Sequence, residues 1–176
     1  MTDAGPFSRV IRIDTLPVDG RTVTIEATPA ERESLASSYE LPAIAALTAR
    51  LRVERAGRGA RVSGSVHGEL TQICVVSLEP FDATVDEEVD VRFDPEADAA
   101  ARRRRSDEPV TVSMSEEDEP DPLIDGRIDL GALAAEFLAL GLDPYPRKPG
   151  VSFEAPREEE TEDRPFTVLK TLRRRS

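Results

Sequence analysis

Through residues 45–94 apolar and polar residues alternate in three runs broken by short turn signals, a two-residue period that suits half-buried β-strands. In the first run, residues 45–55, Leu47, Ala49, Leu51 and Val53 share one side while Thr48, Arg50, Arg52 and Glu54 share the other. Glycines at 57 and 59 then turn the chain back. The second run, residues 60–74, puts Val62, Val66, Leu70 and Cys74 on one face and Ser63, Ser65, His67, Glu69 and Thr71 on the other. After a Ser77-Leu78-Glu79-Pro80 turn, the third run, residues 82–94, aims Val85, Val89, Val91 and Phe93 inward and Asp86, Glu88, Asp90 and Arg92 outward. Glu87 interrupts that apolar set, which predicts a bulge or a partly open edge there. Three such runs in succession predict an antiparallel meander with one buried and one wet face.

The flanks supply helices and a further edge. Residues 7–13 and 21–27 read as strands joined by a turn around Pro17, Asp19 and Gly20, and they are expected to extend the meander. Thr28, Pro29 and Glu31 spell a capping box with proline in the first helical position, Leu35 and Tyr39 share a face four residues apart, and Pro42 ends the element. Downstream, Asp129 caps a helix over residues 130–140 whose stripe is Leu130, Leu133, Ala134, Phe137 and Leu140. Ile128 and Leu133 form its hydrophobic staple, with Ile124 on the extended lead-in, and Gly141 is its C-terminal cap. Pro144, Pro146 and Pro149 stop regular structure. The prediction is an α+β fold: an antiparallel sheet, open or barrel-like, with one or two packed helices.

Residues 95–122 are rich in Ala, Arg, Ser, Glu, Asp and Pro and offer too little apolar surface to offset their ordering entropy. They are expected to be a mostly disordered insert within one domain spanning residues 1–150. Residues 151–176 then read as a flexible acidic linker and a basic tail, in which Phe166, Leu169 and Leu172 fall three apart among cations. At 176 residues the chain suits one domain with charged extensions rather than two domains.

Charge and composition exclude much. A formal charge of −12 and an aromatic content of 5% argue against a nonspecific nucleic-acid binder, since a negative surface repels phosphate and few rings are at hand for base stacking. No DNA contact is expected. A single cysteine forms no internal disulfide and fits a reducing cytosol. The N-terminus has no apolar signal core, and no run nears the roughly 20 residues that span a bilayer. The expectation is a cytoplasmic protein without membrane contact.

Catalytic constellations are missing. His67 and Cys74 stand seven residues apart on one predicted strand, an odd offset that sends them to opposite faces and disfavours a thiol–imidazole dyad. The carboxylates lie on outward strand positions or in charged runs, not in a desolvated pair, and no phosphate-cradling glycine loop or metal-ligand spacing occurs. No catalytic residue, metal site or cofactor is therefore expected. Two basic clusters remain as candidate contacts for RNA or a partner. One is Arg102, Arg103, Arg104 and Arg105; the other combines Phe166, Leu169 and Leu172 with Lys170, Arg173, Arg174 and Arg175.

The run GELTQICVVSLEPFDATVDEEVDVRFDP, then IDLGALAAEFLALGLDPYPR, then PFTVLKTLRRR, taken in order, resembles the YceD family, the large ribosomal RNA subunit accumulation proteins. The motif residues that carry the resemblance are Gln72, Cys74, Leu78, Glu79 and Pro80. It implies a non-enzymatic ribosome-biogenesis factor that supports accumulation or processing of large-subunit ribosomal RNA. Its partners would be ribosomal RNA, a pre-ribosomal particle, or a basic ribosomal protein or assembly factor. The alternative is an acidic adaptor or holdase for a basic protein with no RNA contact. Many relatives carry a second cysteine three residues after the first, where this chain has Ser77, so neither Cys-x-x-Cys metal binding nor its redox chemistry carries over.

Overall fold

The computed structural model describes residues 5–95, 97 and 120–153. The elements run in the order β1 (Val10–Arg12), a 3₁₀ turn (Ile13–Thr15), β2 (Arg21–Glu26), α1 (Pro29–Ser38), β3 (Ala43–Ala56), β4 (Gly59–Ile73), β5 (Pro80–Asp94), β6 (Asp121–Pro122), β7 (Arg127–Asp129) and α2 (Leu130–Leu140). The fold is α+β. Five strands form a sheet in the order β2-β3-β4-β5-β6, antiparallel except for the short parallel pairing of β5 with β6. Strands β2 and β6 are its edges, so among the described residues the sheet is open rather than barrel-like.

The alternation of residues 45–94 becomes the central three strands, each 14 or 15 residues long. Leu47, Leu51, Val53, Val62, Val66 and Leu70 are buried on the face that meets the helices, and the intervening polar residues line the opposite side. At ~25 cal/mol per Å² of apolar surface, six fully buried aliphatic side chains contribute on the order of 10 kcal/mol. The break at Glu87 produces no bulge. From Ala60↔Phe93 to Ile73↔Pro80 the register of β4 with β5 never shifts, and Glu87 sits half-buried opposite Val66. The shift lies in β3 instead, between Ile44 and Ala46.

The first strand also departs from expectation. β1 does not join the meander; it pairs with β7 through Val10↔Asp129, Ile11↔Ile128 and Arg12↔Arg127, leaving β2 alone to extend the large sheet. Just before β7, Asp125 and Gly126 both adopt positive φ (52° and 65°), a tight reversal behind Ile124, and Ile128 is buried in the core.

Both helix starts follow their sequence signals. Thr28 Oγ1 accepts from Glu31 N at 3.4 Å while Glu31 Oε2 accepts from Thr28 N at 2.8 Å, the reciprocal capping box. Asp129 Oδ1 accepts from Gly131 N and Ala132 N at 3.0 and 3.2 Å. The stripe of α2 is corrected: Leu140 is 70% exposed, and Leu138 is fully buried in its place. The helix is apolar almost all round, so periodicity underdetermines its seat; Gly68 of β4 decides it, because a Cβ there would collide with Leu138 Cδ1. The polar segment 95–122 falls mostly outside the described residues, but its last two, Asp121 and Pro122, pair with Phe93 and Asp94.

Candidate functional site at the Cys74 turn

β4 ends at Ile73 and β5 begins at Pro80, and the six residues between them are held from two sides. Within the turn, Cys74 N donates to Glu79 O and Leu78 N donates to Cys74 O, both at 2.9 Å. Ser77 N donates to Cys74 Sγ at 3.4 Å, and Glu79 N donates to Ser77 Oγ at 3.4 Å. The chain beyond α2 supplies the second side. Val75 N donates to Pro146 O at 2.9 Å, Gln72 Nε2 donates to Asp143 O at 3.3 Å, and Lys148 Nζ meets Glu79 Oε2 at 2.8 Å. Gln72 is buried, so without the Asp143 carbonyl its amide would carry a desolvation penalty.

Cys74 is wholly buried. The Ser77 side chain first, and then backbone N–H groups of Lys148, Ser77 and Val76, hold its thiol down to about 6, against a smaller opposing effect of burial. A thiolate nucleophile has to meet its substrate, and this buried sulfur faces its own turn and the backbone of Lys148. Its chemistry is that of an acceptor that organises N–H donors.

What the turn presents outward is apolar. Leu78 takes φ +61°, uncommon for a residue with a γ-branched side chain, and is 75% exposed. Ile73, Val75 and Tyr145 are also exposed, Val75 directly joined to the Tyr145-Pro146 stretch. A strained backbone fixed by flanking hydrogen bonds thus carries an exposed leucine at its tip. Sequence reasoning names Pro146 only as a stop to regular structure and assigns no site role to Asp143, Pro146 or Lys148. The signal available was the spacing of Pro144, Pro146 and Pro149, which keeps a segment extended and its carbonyls free of local partners.

His67 lies on the opposite face of β4 from Cys74, with its side chain 43% exposed. Its Nδ1 stands 2.6 Å from Asp86 Oδ1 and its Nε2 3.8 Å from Glu69 Oε1, and the Asp86 hydrogen bond raises the imidazole. Along the same outer face β5 exposes Asp82, Asp86, Glu88 and Asp90, with Asp90 bound by Arg61. Among the described residues no group of three or more His, Cys, Asp or Glu is placed to hold a metal ion. No described helix is long and apolar enough to cross a membrane. Of the residues predicted as sites, Gln72, Cys74, Leu78, Glu79 and Pro80 converge in this turn. Arg102, Arg103, Arg104 and Arg105, and Phe166, Leu169, Lys170, Leu172, Arg173, Arg174 and Arg175, lie outside the described residues.

A family model described as large ribosomal RNA subunit accumulation protein YceD matches residues 62–173, from early in β4 through the turn, β5 and α2 and on to the basic C-terminal stretch. The chain belongs to the YceD family. No curated protein and no solved structure matches it. In this YceD protein the position three residues after Cys74 is Ser77, whose N–H and side chain both serve the sulfur. The match begins inside β4, yet β4 lies between β3 and β5, so β1 to β3 and α1 complete the sheet and core on which the matched portion rests.

Proposed function

We propose that this YceD protein is a ribosome-biogenesis factor with no enzymatic step of its own, which supports the accumulation or processing of large-subunit ribosomal RNA in the cytoplasm. The observation that carries the reading is the family match over residues 62–173. The site supports it in kind: a thiol shut away from solvent and a rigid apolar tip fit the holding of a macromolecule better than the turnover of a small one. The acidic row on β5 favours a basic ribosomal protein or assembly factor on that face. RNA contact, where it occurs, is assigned to Arg102, Arg103, Arg104 and Arg105 and to the cations of residues 170–175.

Depletion followed by rescue tests the reading. Loss of the protein is expected to lower large-subunit relative to small-subunit ribosomal RNA, with rescue by the native chain and weaker rescue by Leu78→Asp. Unchanged subunit profiles after depletion overturn it. Crosslinking in cells then separates the two modes of action: RNA adducts in the basic clusters mark direct contact, and protein adducts alone mark an adaptor.

A further inference from the structure

Between α1 and α2 runs a groove of about 420 Å³ whose lining is mostly apolar, with Phe7 and Leu35 as floor and Tyr39, Ala132, Ala135 and Ala139 as walls. Its shape is fixed, because Tyr39 Oη donates to Ala135 O at 2.9 Å and ties one helix to the other. Its surroundings are negative. Glu136 lines the groove, and Glu40 is the next residue after the groove-lining Tyr39, two beyond the end of α1. Both helices also end with no basic residue in the last turn, so the negative ends of their dipoles are uncompensated by their own side chains. An apolar slot with an anionic border selects an apolar segment interleaved with cations.

The chain carries such a segment. Phe166, Leu169 and Leu172 alternate with Lys170 and Arg173, and Arg174 and Arg175 follow. The family match continues to residue 173, so these apolar positions belong to the matched stretch. The reach is sufficient: about a dozen residues separate Phe153, the last described position, from Phe166, a span of roughly 40 Å when extended, comparable with the ~35 Å diameter of a domain this size. Tethering gives the segment an effective concentration in the millimolar range, enough for a weak contact to be occupied.

We propose that residues 166–173 of the chain's own C-terminus dock in the α1–α2 groove, seating Phe166, Leu169 and Leu172 against Phe7, Leu35 and Ala135 and setting the following arginines beside the two helix C-termini. Docking would give an acidic protein one basic patch at a fixed place. The inference goes beyond the ribosomal reading and does not depend on it.

Hydrogen exchange on the purified full chain tests it, beside a chain ending at Pro165 and a full-length Phe166→Asp/Leu169→Asp variant. Amides of residues 35–39 and 132–139 are expected to exchange roughly tenfold faster in both altered chains, with β4 amides unchanged as the control for folding. Ala132→Arg, which adds bulk and a like charge at an exposed groove wall, is expected to release the segment and raise exchange at residues 166–172. Equal exchange at the groove in all chains overturns the proposal. So does protection that rises with protein concentration, which would place a second copy in the groove.

Discussion

Two clasps fasten this sheet, one around Arg9 and one around Cys74, and they are built from different chemistry. At the first, the Arg9 guanidinium grips Glu31 with bonds of 2.7 and 2.9 Å, its backbone N–H donates to Asp129 Oδ1 at 2.7 Å, and its carbonyl accepts from Leu130 N at 3.0 Å. At the second, main-chain amides converge on a buried sulfur, while Val75 N and the Gln72 side-chain amide donate to the carbonyls of Pro146 and Asp143. The ionic clasp is partly open to water, so its strength follows protonation and salt. The sulfur clasp depends on backbone placement. Helix α2 joins them, its N-cap inside the first and the chain leaving it inside the second.

That link gives the largest expected effect. Leu138→Ala removes a fully buried side chain seated on Gly68 and should destabilise by about 2–5 kcal/mol in denaturant unfolding. Exchange should rise at both clasps together; a rise at only one would mean that α2 is not their common support. Asp129→Ala separates them. It removes the acceptor of Ser8 Oγ, Arg9 N, Gly131 N and Ala132 N and should cost about 2 kcal/mol, with faster exchange near residues 8–12 and 130–132 and none at the Cys74 turn.

The clasps also differ in how far they were legible beforehand. Thr28, Glu31 and Asp129 act on amides two or three residues away, so their roles appear in local spacing, as do the faces of the alternating residues from Leu47 onward; the shift between Ile44 and Ala46 does not. Arg9 could not be paired with Glu31 or Asp129 in advance, because those contacts depend on β1 pairing with β7 rather than with the meander. The burial of Cys74 followed from alternation, but its donors did not: Lys148 is remote in sequence, and Ser77 reaches the sulfur only through the way residues 74–77 turn. Periodicity also misplaced Leu140, since a helix with few polar residues carries no record of which side meets the sheet.

Acid should open the clasps in separate windows. Arg9, then the Thr28 N–H, holds Glu31 down to about 2 from its ordinary 4.5, so its contribution is complete above pH 4.5 and is lost as pH falls through 2. The Cys74 thiol is lowered to about 6 from 9.0, so its contribution is complete above pH 9 and is lost as pH falls through 6. Measured against Cys74→Ala, so that the opposite-signed gain from the Asp86-raised His67 imidazole cancels, thermal melts should show the thiol's stabilisation declining from pH 9 to 6, with a separate decline of the native chain from about 4.5 toward 2. Glu31→Gln should shrink the lower step, leaving the share of Asp14, Glu79 and Asp90, which Arg12, Lys148 and Arg61 hold below the ordinary carboxylate range, and Cys74→Ala should remove the thiol's share of the upper.

The finest test concerns one hydrogen-bond donor. With a single cysteine in the chain, thiolate ultraviolet absorbance reports Cys74 and nothing else. Ser77→Ala keeps the backbone N–H that points at the sulfur but removes the side chain that lowers the thiol most. The titration midpoint should rise from about 6 toward 9 while the fold and the Arg9 clasp stay as they are. A midpoint that does not move would assign the low value to the main-chain amides of Ser77, Val76 and Lys148 together, making the sulfur clasp a property of backbone geometry alone.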